Sequence, residues 1–473
     1  MAPKHPNAST PSQKLIGQAT RNLKKIEKQI LRFLKMKPEE LGAHFRSNRF
    51  SSLCSLEFSP QKELFYGLEG RLCFLELAQV LLKYAPDLEG KTNIDNVVRA
   101  LKSAYLEQFV RAGKELEQDL VKGMLDLALS DIKSKFKKYV HYLPCILFVS
   151  PSPDSFSLGP VKFIKMPLFL VSNVPHEWVA FGDGAKPWEQ STVEYYKGFP
   201  WVASVEVEPC DFDSSFKVAV YACDTALNAI RVCFGSENTE WVRLSTGTSD
   251  DLRTARIWSF EGGQLQCSER FRIKSPSGPP NWYEWLNEGD GGRIKLFLGH
   301  VIEYACALVE HSELSSRLID SVNWFGDACK EPSPAASVVK FVTAIERLYF
   351  ASNEAGVKSR FVSRVSKILS DFELSAVSVA QQNASRIYDV RSTMVHGGST
   401  QRISEAILPT SEAEDIARGC IMCAEQLYAV IVDAFDPKSP EALEAAMRIY
   451  EKEGLQWCIN KARNMQSRAT GET

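Results

Sequence analysis

The sequence Arg391-Ser-Thr-Met-Val-His396 places an arginine and a histidine with four residues between them. Cleavage of an internal RNA bond needs a base for the 2′-hydroxyl, an acid for the 5′-oxygen and positive charge against the phosphate. A histidine exchanges protons near neutral pH, and an arginine holds a phosphate through two hydrogen bonds without losing its charge. The chemistry of these two side chains therefore suits RNA cleavage without a metal ion.

The spacing alone is not specific. An arginine followed by a histidine after four to six residues is expected about once by chance in a chain of this length. Arg293 and His300 match the same pattern, and we expect that pair to be structural. The surrounding residues must therefore decide between the two pairs.

Helix geometry adds a condition to the Arg391 and His396 pair. Positions five apart on a straight helix diverge by about 140°, so the two side chains do not share a face. Gly397 and Gly398 favour a helix end directly after His396. Such an end would let the imidazole turn toward Arg391.

Four motifs, the last two of which contain Arg391 and His396, follow one another in this part of the chain. Taken together, these motifs resemble the Apea-like branch of the HEPN superfamily over residues 295–437, the last third of the chain. The motifs are Ala344-Ile-Glu346-Arg-Leu348-Tyr349 on one predicted helix, Lys358, Phe361, Arg364 and Leu369 on the next, then Tyr388-Asp-Val-Arg391-Ser392, and finally Val395-His396-Gly397-Gly398.

The resemblance implies a HEPN endoribonuclease that needs no metal or cofactor and leaves 2′,3′-cyclic phosphate and 5′-hydroxyl ends. Arg391 and His396 would be catalytic, with possible support from Glu346, Tyr388 and Ser392. A single histidine cannot easily act on both sides of one phosphate. HEPN nucleases solve this by dimerising, so the resemblance also implies a homodimer through this domain, with tRNA or mRNA as substrate and a toxin-like or antiphage defence role.

Two alternatives stay open. In one, His396 stabilises a helix C-terminus and Arg391 pairs with Asp389 or Glu346 at the surface. In the other, the HEPN-like domain is a non-catalytic module of a sensor or scaffold protein that binds nucleotide or protein. The upstream domains would then have the function of the chain.

The pattern of apolar and polar residues predicts an α+β multidomain fold, with a helical N-terminal region, an antiparallel β-rich middle domain and a C-terminal all-α helical bundle. The resemblance implies that this bundle is a HEPN domain. We expect the middle domain or the N-terminal region to bind a trigger protein or ligand. The predicted limits are 1–140, of which 1–13 are disordered; 141–292, with a linker at 275–292; 293–437; and 438–473 for a C-terminal helix and tail.

Hydrophobic periodicity also predicts the individual elements. N-terminal helices are expected at 38–44, 61–85, 93–111 and 113–139. Strands are expected at 144–150, 161–171, 200–208, 215–222, 227–234, 239–244, 255–260 and 264–273. C-terminal helices are expected at 296–312, 314–329, 336–351, 358–371, 377–396, 412–433 and 440–464, with Ser411 and Glu414 as a capping box.

The formal net charge of −2 gives no global basic field, so any nucleic-acid contact must be local. Two basic stretches could bind RNA, although solvated helix faces are the favoured interpretation of both. Their lysines are Lys24, Lys25 and Lys28 in the first, and Lys135, Lys137 and Lys138 in the second.

The chain begins without a secretory signal pattern and has no run of about 18 apolar residues that could span a membrane. Its 12 cysteines lie mostly in apolar runs, which favours reduced core thiols over disulfides. We therefore expect a cytoplasmic protein with no membrane contact.

Overall fold

The computed structural model describes residues 13–37, 39–40, 54–59, 62–150, 152–174, 187–244, 253–258, 266–271, 278–308, 312–351, 357–395 and 403–470. The protein is mostly helical, with a small antiparallel sheet in the middle and helices at both ends. The α+β class is confirmed at this level. The chain forms two compact units, 1–139 with 207–217, and 140–206 with 218–473. The domain limits predicted at 292 and 437 lie inside the second unit and stay predictions.

The first unit is built around α1, whose apolar face is buried. Leu23, Ile26 and Ile30 recur at helical spacing on that face and pack into the core of the unit. The elements are α1 (Gln13–Leu34), β1 (Cys54–Ser59), β2 (Lys62–Tyr66), α2 (Leu68–Tyr84), α3 (Ile94–Tyr105) and α4 (Gln118–Ser134). The predicted disorder at 1–13 and most of the helix predicted at 38–44 lie outside the described residues.

Two helix predictions in this unit are wrong at their ends. Residues 62–66 form β2, which pairs antiparallel with β1 so that Leu56 lies opposite Leu64. Leu64 and Tyr66 are buried while Phe65 is less so, which is the alternation of a strand. The helix predicted over 113–139 ends at Ser134, and a strand begins at Lys137.

The central sheet has five strands in the order β4-β5-β6-β3-β7. Strand β5 pairs antiparallel with both neighbours, so that Phe163 lies opposite Phe156 on one side and Ala203 on the other. The strands are β3 (Lys137–Ile146), β4 (Ser155–Leu158), β5 (Val161–Lys165), β6 (Trp201–Cys210) and β7 (Arg243–Leu244), while β8 (Arg253–Trp258) and β9 (Gln266–Phe271) form a separate antiparallel hairpin.

The middle of the chain has more helix than predicted, which corrects its description as β-rich. Helices α5 (Met166–Asn173) and α6 (Pro187–Lys197) separate β5 from β6, and α7 (Phe212–Thr239) replaces the strands predicted at 215–222 and 227–234. Most residues of α7 between Ala222 and Val232 are buried, so its apolar residues do not show the spacing of a single face. Its repeated alanines favour a helix.

Among the described residues, α7 alone has the length and mean hydropathy of a membrane span. Within its most apolar window, 72% of the residues are buried inside the protein. Length and composition are only weak evidence that α7 spans a membrane, because the core helix of a soluble protein can have the same length and composition.

The segment predicted as a linker is helical in its second half. It contains α8 (Trp282–Asn287) and the start of α9 (Gly289–Cys306), while residues 275–277 lie outside the described part of the chain. Gly289 has a φ of 51°. A Cβ atom at Gly291 would lie 1.9 Å from the carbonyl oxygen of Trp285. These glycines therefore permit a tight turn between two packed helices rather than a flexible connection.

The C-terminal helices follow the predicted series. They are α10 (Glu313–Cys329), α11 (Pro334–Tyr349), α12 (Val357–Asp371), α13 (Val377–Val395), α14 (Ile403–Phe435), α15 (Pro440–Glu453) and α16 (Leu455–Thr470). Two details differ. Helix α14 already begins at Ile403, so Ser411 and Glu414 do not form its cap. The final helix is split at Gly454, whose φ of 88° suits glycine.

Candidate functional site

Arg391 on α13 and Glu346 on α11 face each other. The Arg391 Nη2 atom lies 3.3 Å from Glu346 Oε2, and the two side chains are 25% and 19% exposed. The guanidinium carbon of Arg391 also lies 5.6 Å from the centre of the Tyr388 ring, which places the cation over the aromatic face. Three of the predicted site residues are thus brought together at a partly buried position.

The guanidinium of Arg391 is not saturated by these contacts. Its Nε atom is buried and has no hydrogen-bond partner among the residues that the structure describes. An unpaired buried donor costs about 1–3 kcal/mol. The side chain as a whole is 25% exposed, so an approaching anion would meet the exposed part of the guanidinium and not Nε.

Burial changes the titration of the two neighbours of Arg391. Burial raises the pKa of the Glu346 carboxyl, and the nearby Arg391 only partly opposes that rise. Burial likewise raises the pKa of the Tyr388 phenol, again with Arg391 acting in the opposite direction. Loss of solvent contact therefore outweighs the single long ion pair at this position.

The end of α11 that presents Glu346 is held by buried donors. Helix C-termini leave carbonyl groups without partners inside the helix. The Nη1 atom of Arg317 donates to the carbonyls of Arg347 and Phe350 at 2.9 and 3.1 Å, and the Tyr428 hydroxyl donates to the carbonyl of Leu348. Glu346 lies less than one turn from these bonds, so its backbone is fixed.

Arg364 on α12 completes this arrangement. Its side chain is fully buried; it donates to the Tyr349 carbonyl, and its guanidinium carbon lies 4.6 Å from the centre of the Phe350 ring. Two carboxylates of α15 balance its charge: Glu444 bonds Nη1 and Nη2 at 3.1 and 2.9 Å, and Glu451 bonds Nε. This ion cluster connects α12 and α15 to the end of α11.

Contacts between α12 and α13 position Arg391. The Phe361 and Tyr388 rings lie 5.0 Å apart, and Lys358 Nζ bonds the Asp389 carboxylate at 2.6 Å. Asp389 therefore pairs with Lys358, and Glu346 is the carboxylate that Arg391 contacts. Of the two partners considered from sequence, the structure contains the Glu346 pair.

The structure says less about the other two predicted site residues, His396 and Ser392. His396 lies outside the described residues, directly after the last residue of α13, Val395. Ser392 is half-buried beside Arg391 and forms no side-chain hydrogen bond within the described ranges.

The competing pair Arg293 and His300 lies on α9. Arg293 is exposed and bonds Asp290, and His300 Nδ1 lies 3.0 Å from Glu303 Oε2. Each residue therefore has a carboxylate partner within one turn of the same helix. Neither makes a contact of the kind that Arg391 makes with an aromatic ring and a second helix.

The lysines considered as RNA ligands are exposed. Lys135 forms an ion pair with Asp131 at 2.7 Å. The whole set comprises Lys24, Lys25 and Lys28 on α1, Lys135 after α4, and Lys137 and Lys138 at the start of β3.

The buried ion cluster was missed in the sequence. Arg364 belonged to the motif, but its partners Glu444 and Glu451 lie in a segment predicted only as a final helix. Their spacing of seven residues places both carboxylates on one helix face. Two acids on one face of an otherwise amphipathic helix are the signal that could have indicated a buried arginine partner.

No family model, curated protein or solved structure matches this chain. The resemblance of the C-terminal helices to HEPN domains therefore stays a prediction that depends on the motif residues. What the structure adds is the contact between Glu346, Tyr388 and Arg391.

Replacing Arg364 by alanine should lower the free energy of unfolding by about 3–5 kcal/mol, because it removes the cation that bonds both carboxylates and leaves Glu444 only its longer contacts with Arg360 and Arg448. Arg448→Ala is the matched control. Arg448 is half exposed and lies 3.7 Å from the same Glu444, so its loss should cost less than about 1 kcal/mol. Urea unfolding measures both; equal losses would contradict the structural role of Arg364.

Replacing Glu346 by glutamine should leave the Tm at pH 7 unchanged or raise it by up to about 4 °C. The pKa of Glu346 is raised on folding, so its ionised form opposes folding as the pH rises through that pKa. The difference in Tm between variant and wild type should therefore shrink toward zero as the pH falls to about 4.

Glu331→Gln is the control of opposite sign. Lys340, which lies 2.7 Å away, lowers the pKa of Glu331, so this carboxylate stabilises the fold above its unfolded pKa. Its replacement should lower the Tm at pH 7, and the loss should disappear as the pH falls through the lowered pKa. Thermal unfolding between about pH 3 and pH 7.5 compares the two; a large loss of Tm for Glu346→Gln at pH 7 would contradict the burial argument.

Proposed function

We propose that the C-terminal helices form a HEPN-type endoribonuclease in which Arg391 and His396 cleave RNA to 2′,3′-cyclic phosphate and 5′-hydroxyl ends. The observation that supports this most is the environment of Arg391. Its guanidinium contacts Glu346 and Tyr388, and the side chain is partly exposed. That is how a cation awaiting a phosphate would be held.

The roles of the side chains follow from their chemistry. Arg391 stabilises the negative charge that develops on the phosphate, and Glu346 and Tyr388 orient its guanidinium. His396 transfers the proton, because a histidine side chain can exchange protons near neutral pH. The base and the acid act on opposite sides of the phosphate, so we propose that two copies of the domain form one cleft with two Arg391 and His396 pairs.

A binding module is the second candidate. The Arg391 and Glu346 ion pair also supports it, because a guanidinium already neutralised by a carboxylate needs no catalytic role. In that case the site would bind a nucleotide or protein and leave RNA intact. Cleavage assays distinguish the two directly.

The proposed setting is the cytoplasm, with tRNA or mRNA as substrate. A trigger protein or ligand would bind within residues 1–292 and release the nuclease, as in a toxin-like or antiphage effector. This part of the proposal depends on the resemblance to HEPN proteins alone.

Arg391→Ala and His396→Ala should each lower the rate of RNA cleavage by about 100- to 10,000-fold, because each removes a group that acts in the transition state. The measurement is cleavage of total RNA in EDTA, with mapping of the cut ends. Since Arg391 is partly exposed and histidine is a polar side chain, the Tm should change by no more than about 2 °C.

Arg293→Ala and His300→Ala are the controls, because they have the same motif in another context. Both should cut RNA at the wild-type rate. The proposal fails if this second pair is essential while the Arg391 and His396 variants still cut, or if wild-type protein leaves RNA intact in the presence of a cell extract that could contain its trigger.

The composite cleft predicts a homodimer through the C-terminal helices. Light scattering at micromolar concentration should give about twice the mass of the chain. Mixing Arg391→Ala with His396→Ala protein should restore part of the cleavage. In a mixed dimer, one copy still supplies Arg391 and the other copy still supplies His396. A monomer that cuts RNA at the full rate would contradict the shared site.

A further inference from the structure

The outward face of α1 has five cations in one row, and Lys35 follows directly after the helix; we call these six residues the α1 basic stripe. At about 100° per residue, the five helical cations fall within an arc of about 100°. At about 1.5 Å per residue they extend over about 17 Å of the helix. The stripe consists of Arg21, Lys24, Lys25, Lys28, Arg32 and Lys35, all of them exposed.

The cations of the stripe are not neutralised. Within the described part of the chain, none of the six forms an ion pair. The second basic stretch differs, because Lys133 pairs with Asp87 and Lys135 with Asp131, both at 2.7 Å. In a protein with a net charge of −2, the stripe is therefore a local concentration of unpaired positive charge.

The opposite face of α1 is already in use. Leu23 and Ile26 are fully buried and Ile30 nearly so, all in the core of the first unit. A basic amphipathic helix that binds a membrane must insert its apolar face into the lipid. That face is not available here without unfolding, although Leu31 and Leu34 remain exposed near the end of the helix. A hydrophilic polyanion therefore fits the stripe better than a lipid surface.

We propose that the α1 basic stripe binds the phosphate backbone of RNA. A straight row of cations that contacts phosphates binds without reading base edges, so the contact is independent of sequence. The choice of RNA rather than another polyanion rests on the proposed function. The stripe would then supply affinity for the substrate, whereas the Arg391 site supplies the chemistry.

The test uses the full chain and a fluorescent RNA of about 30 nucleotides with 2′-O-methyl riboses. This RNA lacks the 2′-hydroxyl nucleophile, so binding is measured without cleavage. Kd is measured by anisotropy at several salt concentrations for the wild type and for Lys24→Gln/Lys25→Gln/Lys28→Gln. The triple variant should raise Kd about tenfold and reduce the slope of log Kd against log salt by about 2. Two RNAs of unrelated sequence should show the same loss.

The matched control is Lys133→Gln/Lys135→Gln/Lys137→Gln, which removes the same charge from the second basic stretch. It should change Kd by less than about threefold. An equal loss in the control, no loss in the stripe variant, or binding to anionic vesicles but not to RNA would each overturn the proposal. Circular dichroism checks that α1 stays folded in both variants.

The same experiment separates this proposal from the nuclease. If the stripe variant binds 2′-O-methyl RNA as well as wild type does while wild type cuts unmodified RNA, the stripe assignment is wrong and the nuclease stands. If the stripe binds RNA but no cleavage occurs under any condition, the Arg391 and His396 assignment is wrong and the stripe stands.

Discussion

The C-terminal end of α11 is the constraint on which the arrangement of the C-terminal helices depends. Two of its last carbonyls belong to the buried residues Leu348 and Tyr349, and a buried carbonyl without a partner would cost free energy. Arg317, Arg364 and Tyr428 donate to the carbonyls of this helix end, and the two arginines also oppose the negative end of the helix dipole. Because these donors come from three other helices, closing this one helix end fixes α10, α12 and α14 around Glu346.

Much of this fold could be predicted from periodic patterns, and the exceptions have a common cause. The C-terminal helices have one apolar stripe each, so their spacing is visible in the sequence. Helix α7 is mostly buried between Ala222 and Val232, so its apolar residues do not show the spacing of a single face. The segment 282–292 contains glycines that indicate a loop, but they serve the close packing of two helices. In both wrong predictions, packing against residues distant in the sequence determines the structure, and the local sequence pattern does not show that packing.

At the candidate site, too, one contact could be predicted from the sequence and another could not. Tyr388 and Arg391 lie one turn apart on one helix, so their contact could be predicted from spacing. The contact of Arg391 with Glu346 joins residues 45 positions apart, and from sequence it was one of two pairings. Asp389 lies two positions from Arg391 on the same helix, where side chains do not face each other, and it pairs with Lys358 instead. Spacing thus disfavours the Asp389 pair, but the Glu346 pair could not be predicted because it depends on how α11 and α13 pack.

The Arg364 ion cluster also orders events during synthesis. Arg364 is made 80 residues before Glu444 and 87 before Glu451. Until both carboxylates have left the ribosome, burying this guanidinium is strongly unfavourable, because an uncompensated charge would enter the core. A nascent chain that contains Arg391 but not yet Glu444 and Glu451 therefore cannot bury Arg364 against the end of α11 without a large cost in free energy. A growing chain has the residues of the site before it has the electrostatic balance that assembles them, which delays any activity of the site until α15 has been made.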